Sequence, residues 1–368
     1  MVEFFPSTYI HSIEKQRFFC RDCQTTFVAA SPEVDAGCFI ANRVKQSIPI
    51  ELQDNLSMKD LAHRHGVSPT TTTRILVQRG NEHAPDFQHL PENLCFDEFK
   101  SVKHVTNKMS FIFCDAATRK IIDILPNRLQ KTLRDYFSRY SLKARAQVKT
   151  IVIDMNAAYF TVITELFPNA KIIIDRFHIV QLMSRALNQT RVTFMKKLFG
   201  TDHEKMKDYR KLKRYWRLML KSATHLNYQD YLYQRLFKKP MPETESVDYL
   251  ISLDPTLKAT YQLYQELLYY AQKNDIKRFK NSLASLKPEV SIYMKTSIKT
   301  LKKHLNRIEN TFKYPFSNGP LEGLINKIKV IKRTAYGYRS FWHFKHRILV
   351  SFKLTNQKNN FTCLSKVV

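Results

Sequence analysis

Five short runs rich in Ile, Val and Phe, followed by a long stretch with helical spacing, constrain the fold of this chain more than any other feature. The runs, between residues 93 and 175, read NLCFDEFK, MSFIFCD, KIIDIL, KTIVIDM and AKIIID. Their length and their content of β-branched and aromatic residues are typical of β-strands. Amphipathic helices are predicted between the third and fourth runs, where Leu133, Tyr136 and Tyr140 share a face, and between the fourth and fifth.

The order of these elements is β-β-β-α-β-α-β, which predicts a mixed sheet of three hairpin-joined strands and two crossover strands. This is the order of a ribonuclease H-like fold. From residue 176 to residue 314 the apolar residues follow helical spacing throughout, as Leu257, Tyr264 and Leu268 do on one helix face. The expected fold class is therefore an α/β ribonuclease H-like core with a long all-helical insertion.

The charge of the chain indicates its partner. The 368 residues include 60 Lys and Arg against 32 Asp and Glu, which gives a net charge of +28. Such an excess either repels itself or meets a polyanion, and nucleic acid is the expected polyanion because neutralised phosphates release condensed counterions. Ribosomal and some secreted proteins are also basic, so the charge alone does not decide the function.

Hydropathy and cysteine usage argue against two classes of protein. No stretch approaches the roughly 18 consecutive apolar residues that span a bilayer, and the start lacks the charged-then-apolar order of a signal peptide. The six cysteines are scattered along the chain, whereas a secreted disulfide scaffold is smaller and denser in cysteine. We therefore expect a protein of the reducing cytosol that makes no membrane contact.

Residues 57–76, SMKDLAHRHGVSPTTTTRIL, predict a helix-turn-helix. Ser57 is placed to cap a first helix, Gly66 to make the turn, and Ser68 to cap a second helix with Pro69 at its first position. The second helix would lie in the major groove of DNA. Its outward residues would be Thr70, Thr71, Thr73 and Arg74. The alternative is an ordinary helical hairpin.

A single C-x-x-C pair, Cys20 and Cys23, lies between aromatic and basic residues near the start. It predicts half of a zinc ribbon, with the two thiolates on a tight knuckle. Zinc takes four ligands and the chain has no second C-x-x-C pair, so the sequence does not decide whether a complete Zn²⁺ site is present. His11 could supply a third ligand, although a lone nearby histidine is more often a surface residue.

Carboxylates at the predicted strands are the main chemical signal. Asp97 ends or interrupts the first strand, while Asp154 and Asp175 follow the fourth and fifth. Close carboxylates beside apolar strands repel each other unless they hold a divalent cation, and their hard oxygens select Mg²⁺ or Mn²⁺. Glu322, the one acid in a tail (317–354) with eight Lys or Arg, would complete a two-metal site. The alternative is that Asp154 and Asp175 only cap the following helices.

Four motifs stand in order along the chain: FDEFK (96–100), VIDMNAAY (152–159), FPNAKIIIDRFHIV (167–180) and SNGPLEGLINKIKVIKRTAYGYRSF (317–341). They resemble the transposases of the ISL-three insertion-sequence family, which carry a DDE-type ribonuclease H-like domain. The resemblance runs from about residue 15 to about residue 354. It implies that Asp97, Asp154 and Glu322 are the catalytic, metal-binding triad. Asp175 and His178 match the DRFH motif and are expected beside the metals or beside the DNA strand that is cut. The motif does not decide whether Asp175 is a metal ligand.

The resemblance also implies the reaction and the partners. The protein would bind the terminal inverted repeats of an insertion sequence and would cleave and transfer DNA strands with two Mg²⁺ or Mn²⁺ ions per active site. Its partners would be double-stranded DNA and a second copy of the chain, in the bacterial cytoplasm and on the nucleoid. Five basic residues are expected to hold phosphates near Glu322: Lys327, Lys329, Lys332, Arg333 and Arg339.

We expect five segments along the chain. They are an incomplete zinc-ribbon-like segment (1–35), a helix-turn-helix domain (36–90), the first part of the catalytic domain (91–180), a helical insertion (181–314) and the last part of the catalytic domain with the glutamate (315–368). Compared with the family, an earlier cysteine pair is missing, so a shortened start is expected. Two alternatives remain, a non-catalytic DNA-binding regulator and a truncated inactive transposase copy; the regulator leaves the strand-end aspartates and Glu322 unexplained.

Overall fold

The computed structural model describes residues 16–83, 85–200 and 202–361, which form two compact units. The first unit comprises the described residues up to Lys149, residues 164–169 and the described residues from Asn318 onward. The second unit comprises residues 150–163 and 170–317.

The first unit starts with a short antiparallel hairpin and three helices. These are β1 (Arg17–Phe19), β2 (Thr26–Val28), α1 (Asn42–Glu51), α2 (Met58–Arg64) and α3 (Pro69–Asn81). The predicted caps of α2 and α3 are confirmed, because the Ser57 hydroxyl accepts from Asp60 N and the Ser68 hydroxyl from Thr71 N, each at 3.1 Å. Gly66 makes the predicted turn with a φ of 60°, a left-handed conformation that glycine adopts without steric cost.

All five runs predicted as strands are strands. They are β3 (Asn93–Lys100), β4 (Met109–Asp115), β5 (Ile121–Leu125), β6 (Thr150–Ile153) and β7 (Lys171–Ile174). The mixed sheet has the order β5-β4-β3-β6-β7, in which β3, β4 and β5 pair antiparallel and β6 pairs parallel with β7. The predicted helices are also present: α4 (Gln130–Phe137) and α5 (Leu142–Ala146) precede β6, and α6 (Ala157–Leu166) precedes β7. A 3₁₀ turn, Thr106–Lys108, leads into β4.

An aromatic cluster fills the core of the first unit. Phe96 of β3 stacks on Phe137 of α4 with ring centroids 5.5 Å apart, and Phe113 of β4 and Phe167 meet the same Phe137 ring edge-on. These rings are buried, and offset or edge-on aromatic pairs add stabilisation beyond the apolar area they bury. The packing therefore fixes α4 against the face of β3 and β4.

Helices dominate the second unit. They are α7 (Arg176–Lys197), α8 (His203–Arg214), α9 (Trp216–Leu220), α10 (Glu243–Ser252), α11 (Pro255–Gln272), α12 (Ile276–Ala284), α13 (Ile292–Lys303) and α14 (Leu305–Lys313). The predicted inward face of α11 is buried, including Leu257, Tyr264 and Leu268. Asn310 Nδ2 and Thr311 Oγ1 of α14 donate to the carbonyls of Ile172 and Ile174 at 2.8 and 2.6 Å, so α14 covers the outer edge of β7.

The prediction of an all-helical insertion is wrong in one place. After a 3₁₀ turn at Ala223–His225, the strands β8 (Leu232–Gln234) and β9 (Lys239–Met241) form an antiparallel hairpin. Its turn is closed by Lys238, which adopts a φ of 54°. Tyr and Leu recur along this segment at distances that suit either a helix or a strand. Pro240 in β9 and Pro242 after it do argue against a continuous helix, and this signal was not used in the prediction.

Two helices at the end of the chain complete the first unit, α15 (Gly319–Thr334) and α16 (Phe341–Phe361). Val350 of α16 lies in one apolar cluster with Ile48, Leu61 and Leu76 of α1, α2 and α3. The Arg347 guanidinium, 1% exposed, donates to the carbonyls of Asp54 and Leu56 at 2.9 and 3.1 Å. Helix α16 is therefore part of the core on which the first three helices fold.

Candidate active site

Asp97 lies inside β3, opposite Ile112 of β4, rather than at the end of the strand. Its side chain is half-buried, and its Oδ1 accepts a hydrogen bond from Glu98 N at 2.7 Å. Glu98, on the opposite face of the strand, forms an ion pair with Arg128. The strand thus presents the carboxylate of Asp97 on one face while its neighbour is neutralised on the other.

Glu322 lies in the first turn of α15, with an exposed side chain. The residue that positions this turn is Asn318, which is 4% exposed and donates from Nδ2 to the Phe96 carbonyl at 3.1 Å. The Asn318 carbonyl accepts from Glu322 N at 2.9 Å. Within the first unit, the start of α15 is therefore fixed to the residue that precedes Asp97.

In the second unit, three predicted residues lie close together. Asp154 directly follows β6, and its Oδ1 is buried with His178 Nε2 at 2.5 Å. Asp175 directly follows β7 and is 6% exposed; its N–H donates to the Ile153 carbonyl at 3.0 Å. The His178 N–H donates to the Asp175 carbonyl at 3.1 Å, so the first turn of α7 brings the imidazole to Asp154.

The hydrogen bonds at the starts of α6 and α7 bear on the alternative that Asp154 and Asp175 only cap these helices. Helix α6 starts at Ala157, and the side-chain oxygen that accepts from its first turn belongs to Asn156, which bonds Ala158 N at 3.1 Å. Asp175 occupies the N-cap position of α7, but its side chain makes no capping hydrogen bond. Neither carboxylate therefore acts as a helix cap through its side chain.

The five basic residues predicted near Glu322 fall into two groups. Lys329, Arg333 and Arg339 are exposed. Lys327 and Lys332 are half-buried: Lys327 Nζ lies 4.6 Å from the ring centroid of Phe352, and Lys332 Nζ donates to the carbonyls of Lys100 and Ser101, at 3.3 and 2.5 Å. Burial lowers the pKa of both ammonium groups, and Lys100 lowers that of Lys332 further. Lys332 therefore joins α15 to the end of β3.

The predicted outward residues of α3 differ in what their side chains do. Thr70 and Arg74 are exposed. The hydroxyls of Thr71 and Thr73 are already engaged locally, with Ser68 Oγ at 3.0 Å and with the Pro69 carbonyl at 2.9 Å. Thr70 and Arg74 are thus the residues of this set with side chains most open to a ligand.

The C-x-x-C pair lies in the turn between β1 and β2. Cys20 N donates to the Thr25 carbonyl at 2.8 Å, and Cys23 Sγ lies 2.9 Å from Thr25 Oγ1. The hydrogen bond with Thr25 lowers the pKa of the Cys23 thiol to about 7. His11 lies outside the described residues.

A buried carboxylate that the sequence analysis did not single out has a structural role. Asp123 of β5 is 1% exposed; it lies 2.5 Å from Lys345 Nζ of α16 and accepts from the Tyr136 hydroxyl at 2.7 Å. Burial raises the pKa of Tyr136, and the charge of Asp123 raises it further. The sequence KIIDIL does show that Asp123 is an acid inside an apolar strand. Its partner Lys345 could not be identified, because it lies too far away in sequence.

Within the described parts of the chain, no group of three or more His, Cys, Asp or Glu side chains is arranged to hold a metal ion. In the same residues, no helix is long and apolar enough to cross a bilayer.

Comparison with known proteins gives three findings. Residues 94–348 match the family model described as Transposase, of the DDE type and the ISL-three group. The transposase for insertion sequence element IS1001 of Bordetella parapertussis is 27% identical over 279 residues, 74% of this chain and 64% of that protein. A protein of Lactococcus lactis named as an ATP-dependent protease is 42% identical over 122 residues, 32% of this chain and 38% of that protein. The chain thus spans less than two thirds of the length of either relative.

Proposed function

This chain belongs to the transposase family whose model matches residues 94–348, and from that membership we propose that it binds the terminal inverted repeats of an insertion sequence and there cleaves and transfers DNA strands. The proposed fold of its catalytic domain is ribonuclease H-like, interrupted by the segment before α15. The proposed catalytic residues are Asp97, Asp154 and Glu322, with Asp175 and His178 in accessory roles.

The observation that best supports this proposal is the hydrogen bond from Asn318 to the Phe96 carbonyl. It holds the first turn of α15 against β3, although the two residues are 222 positions apart in sequence. Glu322 is four residues after Asn318 and Asp97 is one residue after Phe96. This bond supports a site that includes both Glu322 and Asp97, and a DNA-binding regulator would not require such a site.

The residues of the second unit have complementary roles in this proposal. The imidazole of His178 lies 2.5 Å from the Asp154 carboxylate and orients it. Asp175, buried at the start of α7, holds the turn that carries His178 through its carbonyl.

The donor set fits Mg²⁺ or Mn²⁺. The three proposed ligands offer only carboxylate oxygens, which these hard cations prefer. Asp97 and Asp154 each follow apolar strand residues that limit access of water to one side. When bound, the ions would activate the attacking oxygen and stabilise the leaving oxygen at phosphorus.

Helix α3 is the proposed DNA-reading helix of a helix-turn-helix. Thr70 and Arg74 are exposed near its start, where the recognition helix of such motifs contacts base edges. The exposed Lys329, Arg333 and Arg339 would hold phosphates. A homodimer on DNA is proposed, since paired element ends are brought together by at least two subunits. Zinc at Cys20 and Cys23 would need further ligands from another segment or chain.

The similarity to the Lactococcus lactis protein does not support a protease function here. It covers 32% of this chain, and the sequence lacks the Gly-x-x-x-x-Gly-Lys loop with which P-loop ATPases hold phosphates.

The test is cleavage of labelled DNA that carries the two ends flanking the gene, with and without Mg²⁺ or Mn²⁺. We expect metal-dependent cleavage at the element boundary that is lost in Asp154→Ala and Glu322→Gln, while both variants keep DNA binding. Glu289→Gln, an exposed glutamate between α12 and α13, is the matched control and should cleave as the wild type does. Tight binding to the ends without cleavage in either metal would favour the regulator, and wild-type cleavage by Glu322→Gln would refute the triad.

A further inference from the structure

A cavity of about 480 Å³ opens in the first unit between the loop that joins β3 to β4 and the loop that joins α15 to α16. One wall is formed by the end of β3 and the loop after it, with Lys100, Lys103 and Lys108, and the other by the end of α15 and the loop after it, with Lys332, Tyr336 and Arg339. The volume is in the range of cavities that hold one small organic ligand, about 300–1,000 Å³.

The lining of this cavity, which we call the basic pocket, is suited to an anion. Four lysines and one arginine line it together with His104, and no acidic residue does. Lys100, Lys103, Lys108 and Arg339 are exposed. Lys332 already donates hydrogen bonds to the carbonyls of Lys100 and Ser101, so its role is to stabilise the pocket rather than to bind a ligand. The remaining cations repel one another unless a polyanion is bound between them.

An aromatic ring stands at the wall of the basic pocket. Tyr336 is 94% exposed, and its backbone adopts a φ of 53°, a conformation that costs free energy in any residue other than glycine. Lys108, on the opposite loop, also has a φ of 54°. The Tyr336 and Gly337 N–H groups donate to the carbonyls of Arg333 and Lys332 at 3.0 and 2.9 Å, which fixes the loop to the end of α15. The ring is thus held out into solvent by a rigid, strained backbone.

Tyr338 joins the basic pocket to a second cavity. The Tyr338 ring stacks on Phe344 with centroids 4.9 Å apart, and its hydroxyl is buried without a hydrogen-bond partner among the described residues. Tyr338 lines the basic pocket and also a neighbouring cavity of about 410 Å³ that reaches Thr73 on α3. A ligand in the basic pocket would therefore lie next to the proposed DNA-reading helix.

We propose that the basic pocket binds a single unpaired nucleotide of a DNA strand, whose base stacks on Tyr336 and whose flanking phosphates contact Lys103, Lys108 and Arg339. The inference rests on the proposed function only in taking DNA as the polyanion. A duplex lying across the rim would meet the cations but would leave the cavity unfilled and the ring without a base to stack on. An unpaired nucleotide satisfies the cavity, the cations and the exposed ring together.

The position of the pocket relates it to the proposed chemistry. Lys100, which lines the pocket, is three residues after Asp97 in the same strand, about 10 Å away at the usual rise of a strand. Lys332 is ten residues after Glu322 in the same helix, about 15 Å at the helical rise. The bound nucleotide would therefore lie within about 10–15 Å of the residues proposed for catalysis.

The experiment measures binding of a fluorescently labelled twelve-nucleotide oligo-dT, and of a duplex of equal length, to the whole chain. We expect Tyr336→Leu to weaken binding of the single strand by about 5- to 150-fold, the equivalent of the ~1–3 kcal/mol that stacking of one base contributes. Tyr336→Phe, which keeps the ring, should bind as the wild type does. Tyr269→Leu, at a tyrosine of α11 that is 42% exposed, is the matched control and should also leave binding unchanged.

Two further readouts separate stacking from charge. A 2-aminopurine placed in the single strand should be quenched on binding to the wild type and to Tyr336→Phe, and not to Tyr336→Leu. Lys103→Gln and Lys108→Gln should each reduce the slope of log affinity against log salt by about 0.7, the value for one phosphate of a single strand.

The outcomes are distinct from those of the cleavage assay. Single-strand binding that is absent in the wild type, or equally strong in Tyr336→Leu, would overturn the pocket inference even if element ends are cleaved. Equal losses for single strand and duplex in Tyr336→Leu would show that the ring serves a duplex surface and would also overturn it. If cleavage fails while single-strand binding depends on Tyr336, the proposed reaction is wrong and the pocket stands.

Discussion

Helices α3 and α16 approach so closely at Gly80 that replacing this glycine by alanine should destabilise the protein, and the same replacement at Gly323 is the control. Gly80 lies in α3, where an added Cβ would come within 2.5 Å of both Cβ and Cδ2 of His346 and would also meet its Cγ. Favourable contacts between carbon atoms are at about 3.5–4.0 Å. Because the His346 Cβ is fixed to the backbone, rotation of the imidazole does not relieve the overlap, and the two helices would have to move apart.

Gly323 provides the matched control. It lies inside α15, also in the first unit, and an added Cβ there meets no atom within 4 Å. Replacing a glycine by alanine inside a helix stabilises it by about 0.5–1 kcal/mol. This gain is common to both positions, so the difference between the two variants isolates the overlap with His346.

The expected magnitude follows from packing. Overfilling a well-packed contact costs about 1–3 kcal/mol. We therefore expect Gly323→Ala to be more stable than the wild type and Gly80→Ala to be less stable than Gly323→Ala by about 1–3 kcal/mol. In a thermal unfolding experiment, 1 kcal/mol corresponds to about 2–4 °C for a body of 150–250 residues. If Gly80→Ala raises the melting temperature as much as Gly323→Ala, the helices are not in the contact described.

Three other perturbations have definite expectations. Ser57→Ala removes the capping box at α2 and should lower the free energy of unfolding by about 1 kcal/mol in urea titration, and an unchanged midpoint would contradict it. Arg347→Leu removes the buried guanidinium that donates to the Asp54 and Leu56 carbonyls and should cost about 2–4 kcal/mol, measured in the same way. A variant as stable as the wild type would contradict a stabilising role for these two hydrogen bonds. Burial, with Lys345 and His343, lowers the pKa of His346 below its ordinary 6.5. The unfolded chain therefore binds this proton more readily, and the free energy of unfolding falls as the pH drops below about 6.5. His346→Gln should reduce that fall in urea titrations between pH 7 and 5, and an identical fall in the variant would contradict the assignment.

Local features of the fold could be predicted from the sequence because they depend on neighbouring residues. The strands follow from β-branched runs, and the start of α2 and α3 from Ser57 and Ser68, where a side chain bonds a backbone group three residues later. Pro240 and Pro242 are a signal against a continuous helix that the prediction did not use, but the turn of the β8–β9 hairpin itself depends on Lys238 with a positive φ. Such a conformation has no dependable signature in the residue type.

For the candidate site, the sequence singles out carboxylates but not the groups that contact them. Asp154 and Asp175 stand out because they directly follow apolar strands. The contact between His178 and Asp154 requires the exact start of α7, and the bond from Asn318 to Phe96 joins residues 222 positions apart. Lys332 is a further example. A basic residue on a helix suggests a phosphate contact, but in the structure the Lys332 ammonium donates to two backbone carbonyls.

The completion of the first three helices by α16 has a consequence for synthesis on the ribosome. Arg347 reaches the carbonyl of Leu56 across 291 positions of sequence, and Val350 fills the cluster that Ile48, Leu61 and Leu76 form. A chain emerges from the ribosome from its start, at about 5–20 residues per second. The helix proposed to read DNA therefore remains without its full core until α16 has been synthesised, and a nascent chain should become competent to bind only as that helix emerges. A gene interrupted before α16 would on this basis yield a product that neither folds its first helices firmly nor competes with the intact protein for DNA.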